Sequence, residues 1–388
     1  MIRVLLLIPT LDGYGAEKQL ALLACGLPKN RFDVHVAVLT RTGPYETVLR
    51  QAGVKVSFLN KRLKFDPFAF WKLRKLLNEF QPDILHTWLF AANAYGRLVV
   101  GGRSRREGET SPRVVVSERC VDVWKAGWQL WLDRKLVNRT DRLVANSRSV
   151  ADFYVAQGVP RSKVLVVPNA VEVERFARSE EQIAEERKAV REMLQIPSNA
   201  KLVGYVGRFA RQKRVEDLVW AAELLWQVDE RAYAVFVGEG PEKERIQRFV
   251  QQIHKAGHIR FLDHQPDVAP LIRSLDLFWL ASDFEGMSNS LMEAMAAGKP
   301  VVVSNIAPNR ELVTDGVTGL VVPVGDRVAF AKAAGKILSD PDLARRLGQA
   351  AQEKMKQQHS VSRMVDSYAR LYEELAGAST SPSSNSNP

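Results

Sequence analysis

Cysteine is scarce in this sequence, which has only Cys25 and Cys120 among its 388 residues. Two isolated cysteines exclude a disulfide framework and fit a reducing, cytoplasmic compartment. Neither lies in a Cys-x-x-Cys pair, so a structural zinc site has no support. Long apolar runs are also missing, because no stretch reaches the roughly 18 residues that a membrane-spanning helix needs. The apolar start at 2–9 is too short for one and predicts a buried strand.

Acidic residues are too few to balance the basic ones in the first part of the chain. Residues 1–170 hold 27 Lys or Arg and 14 Asp or Glu, whereas the remainder is close to neutral. Such an excess of positive charge can bind nucleic acid, an anionic membrane surface or an acidic acceptor, or can simply form a solvated surface. The sequence has no helix-turn-helix, zinc or RNP signature, so nucleic acid is not an expected partner.

Short apolar runs alternate with helical patterns along the whole chain, which is typical of parallel sheets in an α/β fold. The first series of predicted strands is 3–8, 34–39, 84–87, 114–117, 142–146 and 164–167. After a turn signal at Pro168-Asn169, the second series is 202–206, 234–237, 259–262, 277–280, 300–303 and 319–322. We therefore expect two doubly wound, Rossmann-like domains that face each other across a cleft.

The predicted domains are 1–168 and 169–359, followed by a last helix at about 360–376. Tyr368, Leu371, Tyr372 and Leu375 share one face of that helix. The tail, 377–388, is rich in serine and has little to bury, so we expect it to be disordered.

The segment 285–300 carries two glutamates, Glu285 and Glu293, eight positions apart. It follows a predicted strand and should open a helix near Ser288–Ser290, where backbone N–H groups attract phosphate. On a continuous helix the two glutamates would lie about 12 Å apart along the axis. That separation suits an extended nucleotide-sugar, with Glu293 at the ribose and Glu285 at the hexose.

A second loop follows the strand 202–206. It contains Gly207, Arg208 and Lys213, and its two cations are placed to neutralise a diphosphate leaving group as charge grows on it. Such a loop is weak evidence alone, but it gains weight beside the paired glutamates. The predicted donor-binding residues are Gly207, Arg208, Lys213, Leu262, Glu285, Gly286, Met287, Ser288, Asn289, Ser290 and Glu293.

These motifs resemble the donor domain of the retaining glycosyltransferase family 4. The segments 168–172, 237–241 and 311–323 fit the family pattern as well. The resemblance implies a GT-B fold, with the last helix crossing back onto the N-terminal domain. It also implies transfer of a sugar, mostly from UDP-sugars, with retention and without a metal. Glu285, Arg208 and Lys213 would then be catalytic.

The N-terminal half agrees more loosely with the family. The loop carrying Gly13, Gly15 and Ala16 resembles the glycine-rich loop near the phosphates and the acceptor, and glycine permits a close backbone approach. Many members place a histidine at the position that Glu118 holds in this chain, so we expect Glu118 or Arg119 to serve there instead. His86 is a second acceptor-side candidate, although a lone histidine beside a strand is more often structural.

Trp124, Trp128 and Trp131 recur at helical spacing, which usually indicates a core. The segment 61–75 is rich in Lys, Arg and aromatic residues as well, so an interfacial surface for a lipid-linked acceptor is the alternative. The one acidic D-x-D, at 340–342, has proline at its centre and predicts a helix start instead of a metal site.

We expect a glycosyltransferase with a glycan or lipid-linked acceptor and no cofactor. An epimerase on the same fold and a basic nucleic-acid-binding protein are the alternatives.

Overall fold

The computed structural model of the protein describes residues 1–101, 111–122, 125–253 and 257–377. The chain forms two compact units. Unit 1 combines Met1–Asn169 with the chain from Val361 onward, and unit 2 is Ala170–Ser360. The predicted tail lies outside the described residues except for Gly377, which ends the last helix.

Unit 1 alternates strands and helices. In chain order its elements are β1 (Ile2–Thr10), α1 (Gly15–Gly26), β2 (Phe32–Arg41), α2 (Tyr45–Gln51), β3 (Lys55–Phe58), α3 (Pro67–Phe80), β4 (Ile84–Trp88), α4 (Leu89–Gly101), β5 (Arg113–Glu118), α5 (Gly127–Lys135), β6 (Arg142–Ala145), α6 (Arg148–Ala156) and β7 (Val164–Val166). The strands form one parallel sheet in the order β3-β2-β1-β4-β5-β6-β7. The centre of β1 is fully buried, as expected of a strand covered on both faces.

Unit 2 repeats the pattern with its own core. Its elements are α7 (Glu180–Met193), β8 (Lys201–Val206), α8 (Val215–Trp226), β9 (Ala232–Val237), α9 (Lys243–Ile253), β10 (Ile259–Leu262), α10 (Ala269–Ser274), β11 (Leu277–Leu280), α11 (Asn289–Ala296), β12 (Val301–Ser304), α12 (Ala307–Leu312), β13 (Leu320–Val322), α13 (Arg327–Ser339) and α14 (Pro341–Gln358). The parallel sheet has the order β10-β9-β8-β11-β12-β13. The prediction of two parallel α/β domains is confirmed.

The last helix, α15 (Val361–Gly377), belongs to unit 1, where it packs on α1, β1 and β4. Tyr368 and Tyr372 are fully buried there, so the apolar face predicted from their spacing is confirmed. Within the described ranges, no helix is both long and apolar enough to cross a bilayer.

Each sheet has one point where the direction of winding reverses, between β1 and β4 in unit 1 and between β8 and β11 in unit 2. In open α/β sheets, ligands bind outside the carboxyl ends of the strands at such a point. A ligand site is therefore expected at the loops that follow these four strands.

Candidate functional site

The loops after β8 and β11 lie side by side in unit 2. The two strands are parallel neighbours, with Val203 opposite Leu277 and Gly204 opposite Phe278. This pairing brings the loop of Arg208 and Lys213 beside the segment that starts α11, although about 70 positions separate them in the sequence. The two motifs singled out from the sequence thus meet at the switch point of the sheet.

Lys213 and Glu285 form an ion pair across these loops. Their side chains are 16% and 8% exposed, respectively. The hydroxyl of Ser282 donates a second hydrogen bond to Glu285, 2.6 Å from Oε1. The carboxylate of Glu285 therefore lies between the ammonium group of Lys213 and the hydroxyl of Ser282, at the carboxyl edge of the sheet. Nothing in the sequence pattern singled out Ser282, because a serine three positions before a glutamate is common.

The turn at Gly207 has no room for a side chain. A Cβ there would lie 2.7 Å from Oη of Tyr205, and a Cβ on Gly238 would lie 2.1 Å from the carbonyl oxygen of Gly207. Tyr205 Oη donates to the carbonyl of Arg208 at 2.9 Å. Burial, reinforced by the charge of Glu285, raises the pKa of Tyr205 well above its ordinary value, so this donor stays protonated. The backbone that carries the exposed Arg208 side chain is fixed in place.

A second ion pair joins the same two loops. The guanidinium of Arg214 contacts Asp283 at 3.1 Å and Asp217 at 2.6 Å, and the amide of Asp283 donates to the carbonyl of Gln212 at 2.8 Å. Arg214 has a left-handed backbone (φ 49°) where α8 begins. These contacts set the position of Lys213 from its C-terminal side.

Helix α11 begins where the sequence predicted it. Ser288 is its N-cap, and its hydroxyl accepts from the amide of Leu291 at 3.4 Å and lies 3.3 Å from the hydroxyl of Ser290. The first backbone N–H groups of a helix attract anions. Gly286 and Met287 are buried before the cap, and Asn289 is half-buried in the first turn.

The helical spacing assumed for the paired glutamates is wrong. Glu293 lies on α11 and is buried, but Glu285 precedes the N-cap by three residues and lies on the loop. The axial distance of a continuous helix therefore does not apply to this pair. Leu262, the remaining predicted donor contact, ends β10 at the same edge of the sheet, and its carbonyl accepts from the amide of Gly238 at 3.1 Å.

The glycine loop of unit 1 follows β1 at the switch point of the first sheet. Gly13 precedes α1, and Gly15 and Ala16 form its first turn. Asp12 beside them pairs with Arg41 at 2.5 Å, while the buried Glu17 accepts from the Thr10 hydroxyl at 2.9 Å. The loop is therefore held from both ends.

His86 has a structural environment. It is fully buried on β4, with Nδ1 2.6 Å from Oη of Tyr372 and Nε2 2.7 Å from Oγ of Ser117. Burial lowers the pKa of His86 well below its ordinary value, and the charge of Arg119 acts in the same direction. Both ring nitrogens are engaged by the protein, which favours the structural interpretation over the acceptor-side one.

Glu118 is also buried, at the end of β5. It lies 3.4 Å from Nζ of Lys125 and accepts from Nδ2 of Asn93 at 2.9 Å. Burial raises its pKa to about 7, with Lys125 opposing and Asp122 and Asp133 adding to the increase. Burial alone would lower the pKa of Lys125, but these three carboxylates raise it. These contacts favour a role in a buried ion cluster, and the catalytic role of Glu118 stays a prediction.

Arg119 connects three parts of unit 1. Its guanidinium lies 3.9 Å from the centre of the Trp88 ring and donates to Tyr368 on α15 at 2.8 Å. It also donates to Asn169, the last residue before unit 2, at 3.0 Å. Arg119 therefore ties the strand ends to the returning helix.

The D-x-D segment at 340–342 begins a helix. Asp340 is the N-cap of α14, accepting from the amides of Asp342 and Leu343, so the predicted helix start is confirmed. Among the residues that the structure describes, no group of three His, Cys, Asp or Glu side chains could hold a metal ion.

Trp128 and Trp131 are exposed, so the prediction that the tryptophans pack in a core is wrong for both. Trp124 lies outside the described residues.

Two family profiles match the chain, one in each half. Glycosyltransferase Family 4 matches residues 14–175, and Glycosyl transferases group 1 matches residues 186–354. N-acetyl-alpha-D-glucosaminyl L-malate synthase of Bacillus anthracis is 33% identical over 181 residues, which are 46% of this chain and 47% of that protein. The chain thus spans about half the length of this relative. D-inositol 3-phosphate glycosyltransferase of Corynebacterium jeikeium is 27% identical over 363 residues, 91% of this chain and 80% of that protein.

Solved structures share the architecture. Anabaena HepE in complex with UDP superposes with a TM-score of 0.83 at 21% identity, covering 96% of this chain and 100% of that one. This likeness shows the GT-B fold. Because the two glycosyltransferase profiles match residues 14–175 and 186–354, the chain belongs to glycosyltransferase family 4, with a group 1 glycosyl transferase domain in its second half.

Proposed function

We propose that the protein transfers a hexose from a nucleotide-sugar, most simply a UDP-sugar, to a glycan or lipid-linked acceptor. The observation that carries the proposal is the pair of Lys213 and Glu285 beside the start of α11, at the switch point of unit 2. A cation, a carboxylate and a helix N-terminus together match a sugar diphosphate, which is anionic at one end and rich in hydroxyls at the other.

The chemistry follows from these groups. As the bond between the sugar and the diphosphate breaks, negative charge grows on the phosphate oxygens. Lys213, Arg208 and the first turn of α11 stabilise that charge, so they act more strongly in the transition state than in the ground state. Glu285 accepts hydrogen bonds from hexose hydroxyls, and Glu293 from those of the ribose. The ion pair with Glu285 keeps Lys213 in place.

Relatives support the choice of donor class. Anabaena HepE was also crystallised with UDP-glucose, whereas a relative in Mycobacterium tuberculosis is a GDP-mannose-dependent alpha-mannosyltransferase. A panel of UDP- and GDP-sugars should therefore be screened by thermal shift, since a true donor raises the melting temperature by mass action. The account fails if no nucleotide-sugar stabilises the protein.

A turnover assay with and without acceptor separates transfer from epimerisation. A transferase releases nucleoside diphosphate in proportion to added acceptor, whereas an epimerase interconverts donor without any acceptor. Retention of the anomeric configuration, which we also propose, is checked by NMR of the first product formed.

We further propose that the reaction needs no metal, because Lys213 and Arg208 supply the positive charge that a divalent ion would supply. Turnover should survive an excess of EDTA, and a loss of activity that Mg²⁺ restores would overturn this part. A peripheral location on the inner face of the cell membrane, with no role for nucleic acid, completes the proposal. The basic excess of residues 1–170 supports it.

A further inference from the structure

Every exposed Phe or Trp among the described residues lies in two short segments of unit 1. Phe65, Phe68 and Trp71 are 66%, 78% and 60% exposed, and Trp128 and Trp131 are 62% and 57% exposed. A soluble surface normally scatters its large apolar side chains singly. Their concentration here marks an interaction surface.

Positive charge surrounds the first segment. Residues 61–75 contain six Lys or Arg and a single acid, Asp66. That carboxylate is turned inward, because it accepts from the amides of Arg62, Phe68 and Ala69 at 2.8, 3.0 and 3.2 Å. Arg62, Lys64, Arg74 and Lys75 are exposed, whereas Lys61 and Lys72 are half-buried. The next acid along the chain is Glu79, which contacts Lys75 at 3.6 Å.

Helix α3, which carries most of this segment, is anchored by its N-cap and by its buried face. Asp66 caps α3, and its own amide donates to Oη of Tyr95 at 2.7 Å. Leu73 and Leu77 are fully buried on the inner face of the helix. On the opposite face, Phe68, Trp71 and Lys75 follow one another at helical spacing, with Nζ of Lys75 5.9 Å from the Trp71 ring. Phe68 and Trp71 are thus displayed by a helix that is anchored in the core of unit 1.

The two segments belong to one layer of helices. Helix α4 contacts α3 through Tyr95 and Phe70, whose ring centres are 6.4 Å apart. It contacts α5 through Phe90 and Trp128, whose ring centres are 5.6 Å apart. All three helices follow strands of one parallel sheet, so all start at its carboxyl edge. Helix α5 also ends in exposed cations, Arg134 and Lys135.

We propose that this basic aromatic surface, formed by residues 61–75 and 127–135, binds the anionic interface of a lipid bilayer. Aromatic rings favour the headgroup level of a membrane, and Lys or Arg beside them are attracted to anionic lipid. A protein partner fits less well, since Lys is depleted at the centre of protein interfaces. The inference deepens the proposed function by naming the surface that would bring the enzyme to a membrane-borne acceptor.

The test measures sedimentation of the full chain with vesicles of phosphatidylcholine, alone or with one third phosphatidylglycerol. One variant removes the aromatic rings (Phe68→Ser with Trp71→Ser), and a second removes charge (Lys64→Gln with Arg74→Gln). Matched controls in unit 2 are Val228→Ser, where the valine is 85% exposed, and Lys188→Gln on α7. The UDP-induced thermal shift of every variant is recorded as a separate readout of the donor site and of folding.

Wild type should bind the anionic vesicles at 0.01 M salt and leave them as the Debye length falls from roughly 30 to 10 Å at 0.1 M. Each surface variant should bind them about tenfold more weakly or worse, while both controls match wild type. An unchanged thermal shift with UDP shows that the donor site is intact, so a failure here is distinct from a failure of the proposed transfer.

Three results would overturn the inference. They are no binding of wild type to anionic vesicles, equal binding of wild type and surface variants, and equal binding to neutral vesicles. A dimer that Phe68→Ser with Trp71→Ser dissociates, without any vesicle binding, would assign the surface to a second copy of the chain instead.

Discussion

The ammonium group of Lys213 contacts the carboxylate of Glu285, 72 positions later in the chain. Strand pairing makes this contact possible, since β8 and β11 are neighbours although two strands and three helices separate them in sequence. The pair couples the cation that would stabilise a diphosphate to the carboxylate that would bind the sugar. Substitution of Lys213 should therefore affect the diphosphate, and substitution of Glu285 the sugar.

Replacing Lys213 with Ala should lower turnover about 10²- to 10³-fold, because a charged donor aimed at the transition state is lost. Arg208→Ala should act in the same direction. Arg211→Ala, an exposed cation in the same turn, is the matched control and should change turnover little. Steady-state kinetics with a saturating donor make the comparison, and wild-type turnover in Lys213→Ala would remove the assignment.

The two glutamates should separate binding from transfer. Glu293→Gln should weaken UDP binding by about ten- to 100-fold, the range expected for lost hydrogen bonds to a charged group. Glu285→Gln should leave UDP affinity within a few-fold of wild type and slow sugar transfer instead. Calorimetric titration of UDP beside single-turnover kinetics gives both quantities. Equal losses of UDP affinity in the two variants contradict the division.

Glu118 should make stability depend on pH. Burial raises its pKa to about 7 from an ordinary value of 4.5, so the native state holds this proton more tightly than the unfolded chain. The resulting stabilisation is complete below about pH 4.5 and is lost as the pH rises through 7. Because Glu118→Gln cannot ionise, its unfolding free energy relative to wild type should increase by up to about 3 kcal/mol between pH 5 and pH 8.

Urea denaturation at the two pH values measures this difference. Glu230→Gln, at an exposed glutamate of unit 2, is the control and should follow wild type at both. If Glu118→Gln also runs parallel to wild type, Glu118 is ionised throughout and the buried cluster has been misjudged.

The hydrogen bond between His86 and Tyr372 should contribute to the stability of unit 1. Tyr372→Phe leaves Nδ1 of His86 buried without its 2.6 Å partner, and an unsatisfied buried group costs about 1 to 3 kcal/mol. Thermal or urea unfolding should show this loss, while Tyr233→Phe, on the half-buried β9 position, should lose less. An unchanged stability would mean that the returning helix does not depend on this contact.

Sequence alone predicted the two sheets well, because strands covered on both faces appear as continuous apolar runs. It missed β3, an edge strand in which Lys55 and Ser57 interrupt the apolar pattern. It placed Ser288 at the start of α11 correctly, since a capping serine is a local signal. The distance expected between Glu285 and Glu293 was wrong, because it assumed that both lie on one helix, whereas Glu285 lies on the loop before α11.

Contacts between residues far apart in the chain could not be predicted from the sequence. The partnership of Ser282 with Glu285, and that of Arg214 with Asp283, depend on which strands become neighbours. The environment of His86 depends in the same way on Tyr372 of α15, and that of Glu118 on Asn93 of α4 and on Lys125. Local patterns identify candidate residues, whereas burial and partners decide what those residues can do.

In the proposed function, the loops of Lys213 and Glu285 hold a nucleotide-sugar from which the protein transfers the sugar. The most direct measurement is calorimetric titration of UDP, and of the best UDP- or GDP-sugar from the screen, into wild type and Lys213→Ala. We expect saturable binding at one site per chain in wild type, weakened about tenfold or more in the variant. Absence of binding to wild type, or equal affinity in the two proteins, would contradict it.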